Sequence, residues 1–207
     1  MKKTQERIIE AAMELFAEKG FKETTVAEIC TKANANVAAV NYHFRDKDQL
    51  YIEVWTQAFN AANKKFPFDG GLDPSAPAED HLKAHIASII NAAFSEGPES
   101  LIPKLRNFET VTPTGLMDKI MNKMNHNLGR HMESTIMRLL SPVDEIYMHL
   151  SIMSILSQCF AFSTEIKNLN GPMMKHCKDK IDAERIIDHI YRFSISGIEY
   201  IRSTVIK

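Results

Sequence analysis

The stretch Thr25–Lys47, TVAEICTKANANVAAVNYHFRDK, decides how this chain folds. Thr25 precedes Glu28 by three residues. At that spacing the Thr hydroxyl takes the Glu N–H while the Glu carboxylate reaches back to the Thr N–H. This capping box predicts a helix start, and Val26, Ala27, Ile29, Cys30 and Ala33 supply a short apolar face. The run ends at Asn34, a residue type that tolerates the left-handed conformation closing a helix. Asn36 is then placed to cap a second short helix, Val37 to Phe44. Within it Val40 and Phe44 lie four apart and are expected to face inward, leaving Val37, Ala38, Asn41, Tyr42 and His43 outward.

That outward set is unusual for a solvated surface: small residues at the helix start, then Asn, Tyr and His, which hydrogen-bond without charge. Two short helices joined by a tight turn form a helix-turn-helix, whose second helix places its N-terminal part in the DNA major groove. The small residues permit close approach, Val37 or Ala39 is suited to pack on a thymine methyl, and Asn41 to read an adenine edge. Tyr42, His43 and Lys47 are placed for phosphate oxygens. Thr25 and Asn36, with Ala38 beside the latter, stand at helix N-termini, which attract phosphate.

From Thr4 to Tyr51 the chain resembles the N-terminal domain of TetR-family transcriptional regulators. The resemblance is carried by FAEKGF (16–21), TTVAEI (24–29), the helix-turn-helix, and Tyr42-His43-Phe44 with Lys47 and Leu50. Two positions depart from the family pattern. The usual Gly-Val of the turn is Asn34-Ala35, and a frequent Lys after the N-cap is Val37, which moves weight from a phosphate contact to apolar readout. The run ANANVAAVNYHF (33–44), with Glu109 and Pro113-Thr114, is similar to regulators with a CecR-type C-terminal domain. The resemblance implies an all-α protein of about nine helices. Residues 1–47 would be a three-helix DNA-binding domain, and residues 48–207 a helical body that binds a small-molecule effector and dimerises through its last two helices. It also implies a repressor released by that ligand from a palindromic operator in double-stranded DNA. The two recognition helices would lie about one DNA turn apart, roughly 34–36 Å.

The 207 residues, 44% apolar and 25% charged, are ordinary for a folded protein with a sizeable core. A net charge of -1 argues against an unspecific nucleic-acid coat protein. Residues 1–50 carry eight Lys or Arg and eight Asp or Glu, so no simple basic patch exists. The expectation is an asymmetric surface, acidic on one face of the first helix, with Lys2, Lys3, Arg45 and Lys47 toward phosphates. Cys30, Cys159 and Cys177 are far apart and form no zinc framework, which suits a reducing cytoplasm. No signal peptide is expected, because Lys2 to Arg7 leads straight into an amphipathic helix with charges throughout. Ile146–Thr164 carries no Asp, Glu, Lys or Arg over 19 residues, but Tyr147, His149, four Ser, Gln158 and Thr164 would be costly in lipid. A helix buried on most sides within protein is expected there, with no membrane partner.

In chain order, a helix is expected over Thr4–Lys19, stopped by Gly20, with Phe21 tucked beneath the helix-turn-helix. Another runs from Lys47 to about Lys65 on a stripe of Leu50, Tyr51, Val54, Ala58 and Ala62. FPFDGGLDPSAP (66–77) is a Pro/Gly-rich break between helices rather than domains. Helices are expected over Ala78–Phe94, Leu101–Thr110 and Leu116–Leu140, the last with Leu128 among its apolar residues and Gly129 marking a bend. After Pro142 the uncharged helix runs to about Lys167, LNGPMM (169–174) turns the chain, and Asp182 caps the final helix. That helix has Ile186, Ile187, Ile190, Tyr191, Ser194, Gly197, Ile198 and Ile201 on one stripe. The last two helices are too apolar for one chain to cover, which points to a homodimer packed as a four-helix bundle.

Seven of the eleven Met lie between Met117 and Met153, and Met adapts to varied apolar ligands, though Met at helical spacing is more often plain core. Phe94, Phe108, Met117, Met121 and Met124 are candidate walls of an effector site and Glu109 its polar anchor. His81 and His85 share a helix face as metal ligands can, but lack the Glu of HExxH and any Cys or carboxylate partner, so no metal or cofactor is expected. His126 and His131 are five apart and do not share a face. No nucleophile elbow, P-loop, dinucleotide fingerprint or carboxylate pair appears, so an enzyme is not expected. The alternative is a helical small-molecule- or metal-binding protein without DNA function.

Overall fold

The computed structural model describes residues 3–124, 127–142, 144–166, 176 and 180–205, with the backbone alone at 127, 128 and 166. Lys2, the Leu128 side chain, His126, the turn 169–174 and Cys177 lie outside the described residues. Ten α-helices and one 3-10 turn are present among the described residues, and no strand. They divide into two compact units, residues 1–61 with 96–125, and residues 62–95 with 126–207. The boundary expected after Lys47 lies at the end of the helix-turn-helix. The packing boundary differs, because most of the fourth helix and the segment 96–125 share the first unit's core.

The first unit contains α1 (Thr4–Glu23), α2 (Val26–Ala33), α3 (Val37–Phe44), the larger part of α4 (Lys47–Lys65), the 3-10 turn Pro98–Leu101, α6 (Ile102–Val111) and α7 (Met117–Lys123). The apolar stripe of α1 supplies Ile8, Ile9, Ala12 and Phe16, on which Ile29, Val40, Phe44, Leu50, Val54, Trp55, Leu105 and Ile120 close. Gly20 interrupts α1 at φ 81 and ψ 172, and one further turn carries the helix to Glu23. This break swings half-buried Phe21 under the bundle, its ring 5.9 Å from Phe16 and 4.9 Å from Tyr51.

The second unit contains α5 (Ala78–Phe94), α8 (Asn127–Leu140), α9 (Glu145–Ile166) and α10 (Ala183–Val205). Leu82, Ile86 and Ile90 of α5 meet Met132 and Ile136 of α8, Ile155 and Cys159 of α9, and Ile186, Ile190 and Ile198 of α10. Burial pushes the Cys159 thiol up to about 12. The Pro/Gly-rich break 66–77 is tied down inside this unit. The Ser88 hydroxyl donates to Phe66 O at 2.7 Å, and Arg138 Nη2 donates to Ala76 O at 2.6 Å.

Three expectations are corrected. The helix expected over Leu116–Leu140 is two helices, α7 ending at Lys123 and α8 starting at Asn127, with Gly129 inside the second rather than at a bend. Met124 ends α7 at φ -79 and ψ 6, where its N–H turns to the Asn122 and Ile120 carbonyls. The uncharged α9 is long and apolar enough to cross a membrane by length and composition, but is not buried on most sides. It buries one stripe, Met148, Ser151, Ile155, Cys159 and Ser163, and leaves Ile146, Leu150 and Met153 exposed. One chain covers only one side of this helix. On α10, Gly197 lies outside the buried stripe and is exposed.

Both histidines of α5 serve the fold. His81 Nε2 lies 3.1 Å from Asp73 O, and His85 is fully buried between Phe68 O (Nδ1, 2.6 Å) and the Thr135 hydroxyl (Nε2, 2.9 Å). Burial lowers the His85 pKa to about 4, so the native ring is neutral. The unfolded chain protonates near 6.5. Stability from this group is therefore complete above about pH 6.5 and is lost as pH falls toward 4. Urea unfolding at pH 5 is expected to show about 2 kcal/mol less stability from this group than at pH 7, and a His85→Gln variant should lack that share of the drop.

Candidate nucleic-acid interface

The α2–turn–α3 segment is held by local chemistry at every junction. At the α2 start the Thr25 hydroxyl accepts from Glu28 N at 3.2 Å, and Thr25 N donates to Glu28 Oε2 at 2.9 Å. The Lys19 ammonium beside Glu28, together with the Thr25 N–H and the Thr25 hydroxyl, which also donates to Oε2 at 2.8 Å, holds its carboxyl down to about 2. Asn34 closes α2 at φ 46 and ψ 56, and Ala35 N donates to Cys30 O at 2.9 Å. Asn36 Oδ1 accepts from Ala39 N at 2.8 Å and starts α3. Arg7 Nη2 reaches from α1 to Asn34 O at 3.3 Å and braces the turn.

Val40 and Phe44 pin α3 to the core, and Ala39 is half-buried against it. The opposite face presents Val37, Ala38, Asn41 and Tyr42, two i,i+4 pairs side by side, with Tyr42 85% exposed. His43 is half-buried, its ring 5.1 Å from Tyr42 and 6.0 Å from Phe44. Thr25 and Asn36 are exposed at the two helix starts, but their side-chain oxygens already serve as caps.

Lys47 is placed differently from its expected role. Its ammonium donates to Phe21 O and Thr24 O, both at 3.0 Å, and lies 4.2 Å from the Phe21 ring centroid. The first residue of α4 thus caps carbonyls at the end of α1, a role no local spacing announces. The acidic face of α1 is also partly neutralised, since Lys32 Nζ bonds Glu14 Oε2 at 2.8 Å. Lys3, Lys22 and Arg45 are exposed cations on this unit. Arg45, just past α3, has φ 73, a backbone conformation side chains rarely adopt.

The residues named for an effector wall fall in both units. Phe108, Glu109, Met117, Met121 and Met124 belong to the first unit and Phe94 to the second, where it is exposed. Met117 and Met124 pack on the first core, Met121 is exposed, and Phe108 lies against Gly20. Glu109 is buried with both oxygens engaged: Oε1 accepts from the Tyr51 hydroxyl at 2.8 Å and Oε2 from Thr114 N at 3.2 Å. Burial pushes the Tyr51 phenol well above its ordinary range, so it stays a neutral donor. This bond joins α4 to α6 across 58 residues of sequence.

Comparison with known proteins places these features in context. The family model "Bacterial regulatory proteins, tetR family" matches residues 8–54, and "HTH-type transcriptional dual regulator CecR, C-terminal domain" matches residues 78–198. The chain is 40% identical over 55 residues to the "Probable acrEF/envCD operon repressor" of Escherichia coli (strain K12), covering 27% of this chain and 25% of that protein. It is 35% identical over 52 residues to the HTH-type transcriptional regulator AcrR of Shigella flexneri, covering 25% of this chain and 24% of that protein. The chain thus spans about a quarter of the length of these relatives. Among solved structures, FadR from Bacillus subtilis in complex with stearoyl-CoA superposes with a TM-score of 0.70 at 14% identity, covering 93% of this chain and 98% of that one.

Proposed function

The chain belongs to the TetR family of bacterial regulatory proteins, with a CecR-type C-terminal domain, and from that membership we propose that it is a homodimeric repressor released from a palindromic operator by a small-molecule ligand. The observation that carries the DNA-reading role is the exposed α3 face of Val37, Ala38, Asn41 and Tyr42, uncharged and rigidly capped. Tyr42 and His43 serve phosphates, with Thr25, Asn36 and Ala39 around the two helix starts shaping the approach. Lys47 acts chiefly by holding α1 to α4, with its remaining proton for phosphate.

Dimerisation through α9 and α10 is supported by the large apolar side chains they leave open: Met153 (62% exposed), Phe193 (66%) and Tyr200 (70%), beside exposed Gly197. Large apolar side chains left open on two neighbouring helices favour a contact surface there. The stearoyl-CoA in the FadR structure and the Met-rich segment 117–153 support an effector in the helical body. An effector that prefers a body conformation with altered reader spacing weakens operator binding by its differential affinity, of order 1–3 kcal/mol. Helix α4 runs unbroken from Lys47 to Lys65 and is the lever. The place of action is the cytoplasm, on DNA.

The test is a gel-shift titration of the full chain against the DNA upstream of its own reading frame, at two salt concentrations with scrambled competitor. Salt-sensitive, specific binding with two protomers per site is expected. Equal binding to every duplex, with no site recovered from a random pool, would favour a helical ligand-binding protein without DNA function.

A further inference from the structure

We infer that α3 reads A·T base pairs and carries no guanine reader, so that the operator bases beneath Val37 and Asn41 are adenine and thymine. This rests on α3 being the recognition helix. Guanine is most often read by an Arg or Lys bonded to O6 and N7. The exposed α3 face holds neither, nor any charged residue.

The cations close to it in sequence or space are committed or misplaced. Lys32 is paired with Glu14, Arg7 braces Asn34 O, and Lys47 caps Phe21 and Thr24. Arg45 lies past the C-terminal end of α3, a full turn beyond Asn41 and outside the part of the helix that meets base edges.

What α3 does offer matches A·T chemistry. The Asn41 side chain has no hydrogen-bond partner among the described residues, and its acceptor oxygen and donor nitrogen complement adenine N6–H and N7. Val37, the first residue of α3 and 49% exposed, lies one turn earlier on the same face and presents methyls to a thymine C5-methyl. Ala38 beside it leaves the backbone free to approach. Side chains at i and i+4 are about 6 Å apart, so the two contacts fall within about two base pairs of each other.

The test selects binding sites for the full chain from random duplexes, then replaces bases in the enriched half-site. Deoxyuridine for thymidine removes the methyl and is expected to weaken binding about four-fold at the contacted base, with no such loss in Val37→Ala. 7-Deaza-adenine removes N7 and is expected to cost roughly ten-fold in the wild type and nothing further in Asn41→Ala. 7-Deaza-guanine should have no effect. An enriched half-site centred on G·C and sensitive to 7-deaza-guanine, or an A·T site insensitive to both analogues, overturns this inference while leaving α3 a DNA reader. No enriched sequence at all would overturn the reader assignment itself.

Discussion

Gly20→Ala is expected to unfold the first unit at much lower urea than the wild type. At φ 81 and ψ 172 the backbone occupies a region open essentially to glycine alone, which costs other residues about 1–3 kcal/mol. An added Cβ would also stand 2.6 Å from Phe108 Cδ1 and 3.0 Å from Cγ, and overpacking against a ring body adds about 1–3 kcal/mol. The total, roughly 3–5 kcal/mol, is a large part of a small domain's stability. Trp55 is the only Trp in the chain and is buried in the same core, so its fluorescence reports this unfolding directly. Adding Phe108→Ala should remove the steric share but not the backbone share, so the double variant should be less destabilised than the two single losses added together. Strict additivity would show that the ring and the glycine do not meet.

Glu109→Ala comes next in expected size. It leaves the Tyr51 hydroxyl and the Thr114 N–H without their acceptor inside a closed core, each costing about 1–3 kcal/mol. A loss of roughly 3–4 kcal/mol, followed by Trp55 fluorescence, is expected. Tyr51→Phe removes one donor only and should cost less. Glu109→Gln keeps an acceptor for one partner but turns a donor toward the other, so it should fall between wild type and Ala. If Glu109→Ala were as stable as the wild type, the carboxylate would not be the joint between α4 and α6, and its role as an effector anchor would regain first place.

These two residues show where the sequence was legible and where it was not. The reader is written in local chemistry. The Thr25–Glu28 box, the left-handed Asn34 and the Asn36 cap each act within four residues, and the helix bounds 26–33 and 37–44 follow from them. The apolar stripes of α1 and α4 were equally plain, because helical periodicity alone places Ile8, Phe16, Leu50 and Val54 inside. Gly20 was legible as a stop, but not as the seat of Phe108, 88 positions away in the sequence. Glu109 could be singled out by type, yet its partners Tyr51 and Thr114 depend on tertiary packing that spacing does not encode. Lys47 looked like a phosphate ligand because a Lys beside a recognition helix usually has no other demand on it. Here the open carbonyls at the end of α1 compete for its ammonium. On α9 composition indicated burial, but which side one chain covers depends on its neighbours.

The measurement that bears most directly on the assignment of α3 as the reader compares wild type and Tyr42→Ala on the enriched operator over a range of salt concentrations. Tyr42 is 85% exposed and contributes nothing to the core, so the variant keeps its fold. The expected result is binding roughly ten-fold weaker at every salt concentration, with an unchanged salt slope because no charge is lost. Binding as tight as wild type throughout would contradict the assignment of this face to DNA.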